Sequence, residues 1–118
     1  MTEDCLFCKI IKKEVPGDIG YEDEKVISFK DIHPKAPVHF LIVSKKHIAS
    51  VNHLEERDQE LVGNLFLVGK TIAREKNLKG YKLVVNVGRE GGQMIDHLHL
   101  HLLGGWRSAE EREVPGMP

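Results

Sequence analysis

An alternation of histidine and leucine late in the chain constrains the fold most strongly. Residues 97 to 103 read His-Leu-His-Leu-His-Leu-Leu, and this two-residue period is typical of a half-buried β-strand. His97, His99 and His101 therefore share one face of the predicted strand, while the leucines face the core. Neighbouring imidazoles on that face start about 7 Å apart, so one metal ion could bind two of them but hardly all three.

Three imidazoles in register also indicate a reactive site. The chain has seven histidines in 118 residues, yet three of them fall within five positions. A solvated histidine face is the structural alternative, and it suits one strand histidine better than three. Because imidazole titrates near neutral pH, contacts phosphate and acts as a nucleophile, the pattern favours chemistry.

Composition is that of an ordinary globular protein. Hydrophobic residues make up 41% and charged residues 30%, and the net charge is -1 with dispersed lysines, so binding to a nucleic acid polymer is disfavoured. The acidic amino terminus leads into no long apolar run, so we expect no secretory signal, no membrane association and a cytoplasmic location. The length suits one domain, 1–118, with a core over about 5–105.

Hydrophobic periodicity predicts five strands and two helices. Strands joined in succession pair antiparallel, so the expected fold class is α+β: a mainly antiparallel sheet, one long helix and a short N-terminal helix. The predicted elements are a helix over 5–14, strands over 19–21, 26–29 and 38–43, a helix from the capping box Asn52-His53-Leu54-Glu55 to about Lys76, a strand over 81–87 and the histidine strand.

The long helix carries two adjacent apolar stripes. One stripe can cover the sheet and leave the other for a second subunit, and Gly63 and Gly69 would permit close approach. We therefore expect a homodimer through this helix and an edge of the sheet, with a wider intramolecular core as the alternative. The stripes are Leu61, Leu65, Val68 and Ile72, and Val62, Phe66, Gly69 and Ala73.

The only cysteines, Cys5 and Cys8, form a C-x-x-C pair. In a reducing compartment this spacing indicates half of a metal site or a redox pair before a disulfide. No βαβ pattern supports a thioredoxin-like role, and packing as two small hydrophobes is the remaining alternative. His39 and His47, on either side of the third strand, could lie near the histidine strand if the sheet makes them neighbours.

The histidine strand and several upstream segments together resemble the histidine triad (HIT) family, whose signature is His-x-His-x-His-x-x with apolar x. Their order and spacing are similar to the Hint branch, over about 5–105. The resemblance implies a HIT-like fold and a hydrolase that cleaves the P–N bond of purine nucleoside 5'-phosphoramidates. The upstream segments are Phe29-Lys30-Asp31-Ile32, the run from His39 to Ile48, Leu83-Val84-Val85-Asn86-Val87-Gly88 and Gly91-Gly92-Gln93.

The same resemblance assigns catalytic roles. His99 is the nucleophile that forms a covalent nucleotidyl-histidine, which suits imidazole because it is also a fair leaving group. His101 and Asn86 contact the phosphate, and Gln93 with N–H groups of the glycine-rich loop helps to hold its oxygens. His39 assists proton transfer to the departing amine, which leaves more readily when it is protonated.

The resemblance also implies substrate and metal ligands. Asp31 would accept hydrogen bonds from the ribose hydroxyls of an AMP or GMP type of nucleotide. Soft thiolates with imidazoles favour tetrahedral Zn²⁺, which would pin the N-terminal helix to the sheet. The residues expected to line the base pocket are Phe7, Phe29 and Ile32, and the expected zinc ligands are Cys5, Cys8, His47 and His97.

Two departures from the family pattern bear on substrate choice. Met94 stands where the family commonly has serine or threonine, and Trp106 directly follows two glycines, whereas Hint tails end in Trp-Pro. The tail, 106–118, is expected to cross the surface. Two other functions stay open: a dinucleoside polyphosphate hydrolase or phosphorylase, and a nucleotide-binding interaction protein with incidental hydrolysis.

Overall fold

The computed structural model describes residues 5–111, in which five strands form one antiparallel sheet. The strand order is β1-β2-β3-β5-β4, so the histidine strand β5 lies inside the sheet, between β3 and β4. The predicted α+β fold class is confirmed. The elements are α1 (Leu6–Ile11), β1 (Ile19–Glu22), β2 (Val26–Lys30), β3 (Val38–Ser44), α2 (Gln59–Glu75), β4 (Tyr81–Val84) and β5 (His99–Gly104).

The two faces of the sheet are covered by different helices. On one face, Leu100 and Leu102 of β5 belong to a core that includes Leu65 and Ile72 of α2. On the other face, a second core joins α1 to β2 and β3, and His99 of β5 lies on this face against Phe7. The alternation read from the sequence thus separates a leucine face from a histidine face.

His97 departs from the predicted strand. The strand begins at His99, and His97 precedes it in a bend, so only His99 and His101 share the strand register. The segment is held by two hydrogen bonds to residues near the end of β3: the Leu98 N–H donates to the Ile48 carbonyl, and the His97 ring donates to the Ser44 carbonyl. These contacts replace regular strand pairing at His97.

The start of the long helix also differs from the prediction. The capping box is formed by Glu55 and Asp58, and α2 begins at Gln59. Upstream, the Ser50 hydroxyl caps a short 3-10 turn over Val51–His53. The predicted box was wrong because the chain stays extended after that turn, and Asp58 takes the capping role.

The second apolar stripe of α2 is buried at some positions and exposed at others. Gly69 and Ala73 of the second predicted stripe are buried against the protein's own sheet, whereas Phe66 of the same stripe and the neighbouring Leu67 are 45% and 59% exposed. A β-carbon at Gly69 would lie 3.2 Å from the side chains of Ile42 and Leu83. The wider intramolecular core therefore accounts for Gly69. No helix among residues 5–111 is long and apolar enough to cross a membrane.

We expect Gly69→Ala to be less stable than Gly63→Ala, with a difference of about 1–3 kcal/mol in the free energy of unfolding. Both variants gain helix propensity, but only the methyl at position 69 presses on the sheet, because a β-carbon at Gly63 meets nothing within 4 Å. Urea unfolding of the matched pair measures the difference. Equal stabilities would show that α2 does not approach the sheet this closely.

Candidate functional site

The candidate site lies on the histidine face of the sheet, where β3 and β5 are neighbours. The register pairs Leu41 with His101 and Val43 with His99, so the two histidines of β5 follow one another along the same face. Their ring centroids are 5.0 Å apart. His39, at the start of β3, reaches the same group, with its Nε2 2.9 Å from Nδ1 of His101.

A hydrogen bond to the backbone carbonyl of His97 orients the His99 imidazole. Its Nδ1 lies 2.6 Å from the carbonyl oxygen of His97. A carbonyl can only accept, so Nδ1 carries the proton and Nε2 keeps the lone pair. Burial lowers the pKa of His99, although this hydrogen bond opposes the shift. A neutral imidazole with a free Nε2 lone pair is a competent nucleophile near neutral pH.

His39 contacts His101 and a loop backbone. The Lys35 N–H donates to Nδ1 of His39 at 3.1 Å, and a carboxylate oxygen of Asp31 lies 3.4 Å from Nε2. The other Asp31 oxygen accepts the backbone N–H of His33 at 2.8 Å. Burial lowers the pKa of His39, and burial with the neighbouring His99 and His39 lowers that of His101 to about 4.

Two of the three predicted base-pocket residues form a buried floor. Phe7 of α1 packs edge-on against the His99 ring, with centroids 5.1 Å apart, and against Phe29 at 5.3 Å. Both phenylalanines are buried, whereas Ile32, next to Asp31, is 82% exposed. Of the three, Ile32 therefore offers the open apolar surface.

The Gln93 amide holds the glycine-rich loop. Its Nε2 donates to the carbonyls of Ala49 and Ile95, its Oε1 accepts the Gly88 N–H, and the residue is 2% exposed. Both amide hydrogens are used, so the expectation that this side chain holds phosphate oxygens is corrected. Gln93 closes the loop, and the backbone N–H groups of the loop's three glycines and of Gln93 already donate hydrogen bonds within it.

An ion pair that the sequence did not indicate closes the same loop. Arg89 makes two contacts with the Asp96 carboxylate, at 2.8 and 3.0 Å, and donates to the Gln93 carbonyl at 2.7 Å. The two residues are seven positions apart across a loop, and this spacing matches no sequence motif.

Asn86 precedes this loop, and a β-carbon at Gly92 would lie 3.7 Å from its amide nitrogen. Met94, in the position of the family's hydroxyl residue, is 77% exposed.

The four predicted metal ligands come together in a cluster that could hold a metal ion. Their donor atoms all lie within 4.8 Å of one another, and both cysteines and His97 are buried. Nδ1 of His97 is 3.2 Å from Sγ of Cys5, 3.5 Å from Sγ of Cys8 and 3.2 Å from Nδ1 of His47, which itself lies 3.3 Å from Sγ of Cys8. Ligands of a tetrahedral zinc ion lie about 3.3–3.8 Å apart, so these spacings fit.

The chemistry of the donor set fits a metal as well. The His97 Nε2–H donates to the Ser44 carbonyl at 2.6 Å, which leaves the Nδ1 lone pair facing the cysteines. An outer hydrogen bond of this kind is typical of metal-binding histidines. Burial and the adjacent Cys5 thiol raise the pKa of Cys8 to about 11, so a cation at this point would be needed to hold a thiolate at neutral pH.

Comparisons with known proteins agree with this architecture. A family model described as the scavenger mRNA decapping enzyme C-terminal binding family matches residues 4–112. A HIT-like protein of Synechococcus elongatus is 47% identical over 106 residues, which are 89% of this chain and 93% of that protein. A HIT family hydrolase from Legionella pneumophila has a TM-score of 0.86 and 46% identity, over 88% of this chain and 95% of the other.

A more distant structure extends the likeness. The histidine triad nucleotide-binding protein from Candida albicans has a TM-score of 0.78 and 33% identity, over 89% of this chain and 84% of that chain. The shared sheet, the paired histidines of β5 and identity over most of the length lead to one assignment. The chain belongs to the histidine triad family.

Proposed function

We propose that the protein is a nucleotide-binding hydrolase of the Hint branch that cleaves the P–N bond of purine nucleoside 5'-phosphoramidates. The observation that carries the proposal is the His99 ring, whose proton is held on Nδ1 by the His97 carbonyl so that the Nε2 lone pair is free. Related proteins described as a HIT family hydrolase and a nucleotide-binding protein support the substrate class.

In the proposed reaction, Nε2 of His99 attacks the α-phosphorus and the P–N bond breaks. The amine takes the electron pair of the broken bond and departs with a proton, which His101, hydrogen-bonded to His39, would supply. Water then attacks phosphorus, gives a proton back to His101 and releases the nucleoside monophosphate. The second step breaks the P–N bond to His99 and restores the neutral ring.

We propose substrate contacts for the residues at the edge of the site. Asp31 has a partly exposed carboxylate that would accept hydrogen bonds from the ribose hydroxyls, and the exposed Ile32 beside it would pack on the purine. His101 and Asn86 would stabilise charge on the phosphate. A dinucleoside polyphosphate could use the same nucleophile, so substrate preference must be measured directly.

We propose that Cys5, Cys8, His47 and His97 hold one structural Zn²⁺. The ion would tie α1, which has Cys5 as its N-cap and Cys8 as its third residue, to the segment that precedes β5. An isolated six-residue helix is unstable in water, so the ion would supply stability that α1 lacks by itself.

We also propose a homodimer through α2 and an edge of the sheet. Phe66 and Leu67 expose apolar surface on α2, and β4 is an edge strand. Burying both features against a second copy would remove apolar surface from water at α2 and at the β4 end of the sheet.

We expect His99→Ala to lower kcat/KM for adenosine phosphoramidate by at least about 10³-fold, because the covalent step is lost. Rapid quenching of the unaltered protein should trap an acid-labile adenylate, and His33→Ala, an exposed loop control, should retain it. A panel with dinucleoside polyphosphates compares the rival substrates. An adduct that persists in His99→Ala would contradict the assigned nucleophile.

The purified protein is expected to contain close to one zinc per chain by elemental analysis. Cys5→Ser/Cys8→Ser should lose the ion and melt at a lower temperature, because serine is a poor zinc ligand. Chelation should move the melting temperature of the parent towards that of the variant. Absence of metal, together with equal melting temperatures, would exclude the site.

Light scattering at micromolar concentration should give the mass of a dimer. Phe66→Glu/Leu67→Glu should shift it to the monomer, because charges would be buried in the interface. Lys12→Glu, a charge change at an exposed position at the end of α1, on the opposite face of the sheet from α2, is the control and should remain dimeric. A monomer mass for the unaltered protein would exclude this assembly.

A further inference from the structure

A chain of hydrogen bonds runs from the 31–37 loop to the second histidine of β5. It begins at the backbone N–H of Lys35, which lies 3.1 Å from Nδ1 of His39. A backbone N–H can only donate, so Nδ1 of His39 must present its lone pair. The neutral His39 ring therefore carries its single proton on Nε2.

The hydrogen bond between His39 and His101 then determines the proton position on His101. Nε2 of His39 is 2.9 Å from Nδ1 of His101. Since Nε2 holds the proton, Nδ1 of His101 accepts, and the neutral His101 ring carries its own proton on Nε2. The Asp31 oxygen, at 3.4 Å, is the longer of the two contacts to Nε2 of His39. Burial lowers the pKa of both histidines, which keeps both rings neutral near pH 7.

The same cluster could be mistaken for a second metal site. Ligand atoms of Asp31, His39 and His101 lie close enough together to hold an ion. A neutral imidazole has one lone pair, however, and the Lys35 N–H already takes that of His39 on the other ring nitrogen. The cluster is therefore a hydrogen-bonded chain.

We propose that His39 is a positioning residue that holds the proton of His101 on Nε2, opposite to the Nδ1 proton of His99. One β5 histidine then offers a donor to the phosphate, while the other offers a lone pair to phosphorus. The role in catalysis depends on the proposed function, but the proton positions belong to the free protein. In this arrangement His39 acts through His101 and does not itself contact the leaving amine.

The proton positions can be read from two-bond nitrogen–proton correlation spectra of protein labelled with nitrogen-15 histidine, without substrate, near neutral pH. We expect a proton on Nε2 in His39 and His101 and on Nδ1 in His99. A His101 ring protonated on Nδ1 in the unaltered protein would overturn the proposal, and this measurement requires no variant.

Two substitutions at position 39 distinguish the effect of the lost hydrogen bond from the effect of a changed side-chain volume. His39→Leu removes the donor, so the Nδ1-protonated form of His101 should appear, while His99 stays unchanged. His39→Gln places an amide N–H near the former Nε2 and should keep the His101 proton on Nε2. His33→Leu, the same substitution at an exposed position of the same loop, is the control. An unchanged His101 in folded His39→Leu would overturn the proposal; if that variant does not fold, the spectra of the unaltered protein and of His39→Gln decide.

Kinetics with adenosine phosphoramidate supply the second readout. His39→Leu should lower kcat by about 10²-fold, the effect of one lost donor to a developing anion, with KM changed much less. His39→Gln should recover most of this loss. Equal loss in both variants would contradict the positioning role. If the unaltered protein hydrolyses no phosphoramidate, the proposed function fails, and the spectra alone decide the role of His39.

Discussion

The structure depends on how the chain is held at His97. Its ring points Nδ1 at both cysteines and His47 and donates Nε2–H to Ser44, while its carbonyl accepts the proton of His99. One residue thus belongs to the cysteine–histidine cluster by its side chain and contacts the proposed nucleophile through its backbone carbonyl. Phe7 adds a second link, because it lies between the cysteines in sequence and packs on the His99 ring. Disorder at the cluster would therefore disturb the His99 ring through both contacts.

Chemically identical side chains acquire different roles here through their backbone partners. A carbonyl fixes the His99 proton on Nδ1, whereas the Lys35 N–H fixes that of His39 on Nε2. Burial lowers the pKa of His97 and His101 to about 4, with smaller contributions from neighbouring histidines. A protonated ring would leave His97 without a lone pair that a metal ion could bind, and would leave His101 without the Nδ1 lone pair that accepts the His39 proton.

The sequence pattern predicted the features that depend on residues close together in the chain. The two-residue period near His99 predicted the strand and its histidine face correctly, and the family resemblance predicted which residues cluster around Cys5. His97 could not be placed from its pattern, because its position is set by the distant Ser44 carbonyl. The Gln93 amide was misassigned for the same reason: its partners include Ala49, 44 residues away. A sequence records that a side chain can form hydrogen bonds, but the tertiary fold selects the partners.

The contact from Lys35 to His39 has a consequence for comparisons within the family. Its contribution comes from a peptide N–H, which nineteen of the twenty amino acids supply equally. Selection on this contact would therefore leave the identity of the residue free and exclude only proline, although prolines occur at positions 34 and 37 of the same loop. Such a site would look variable in any alignment and be tolerant in an alanine scan. Its importance would be visible only in a substitution that removes the amide hydrogen.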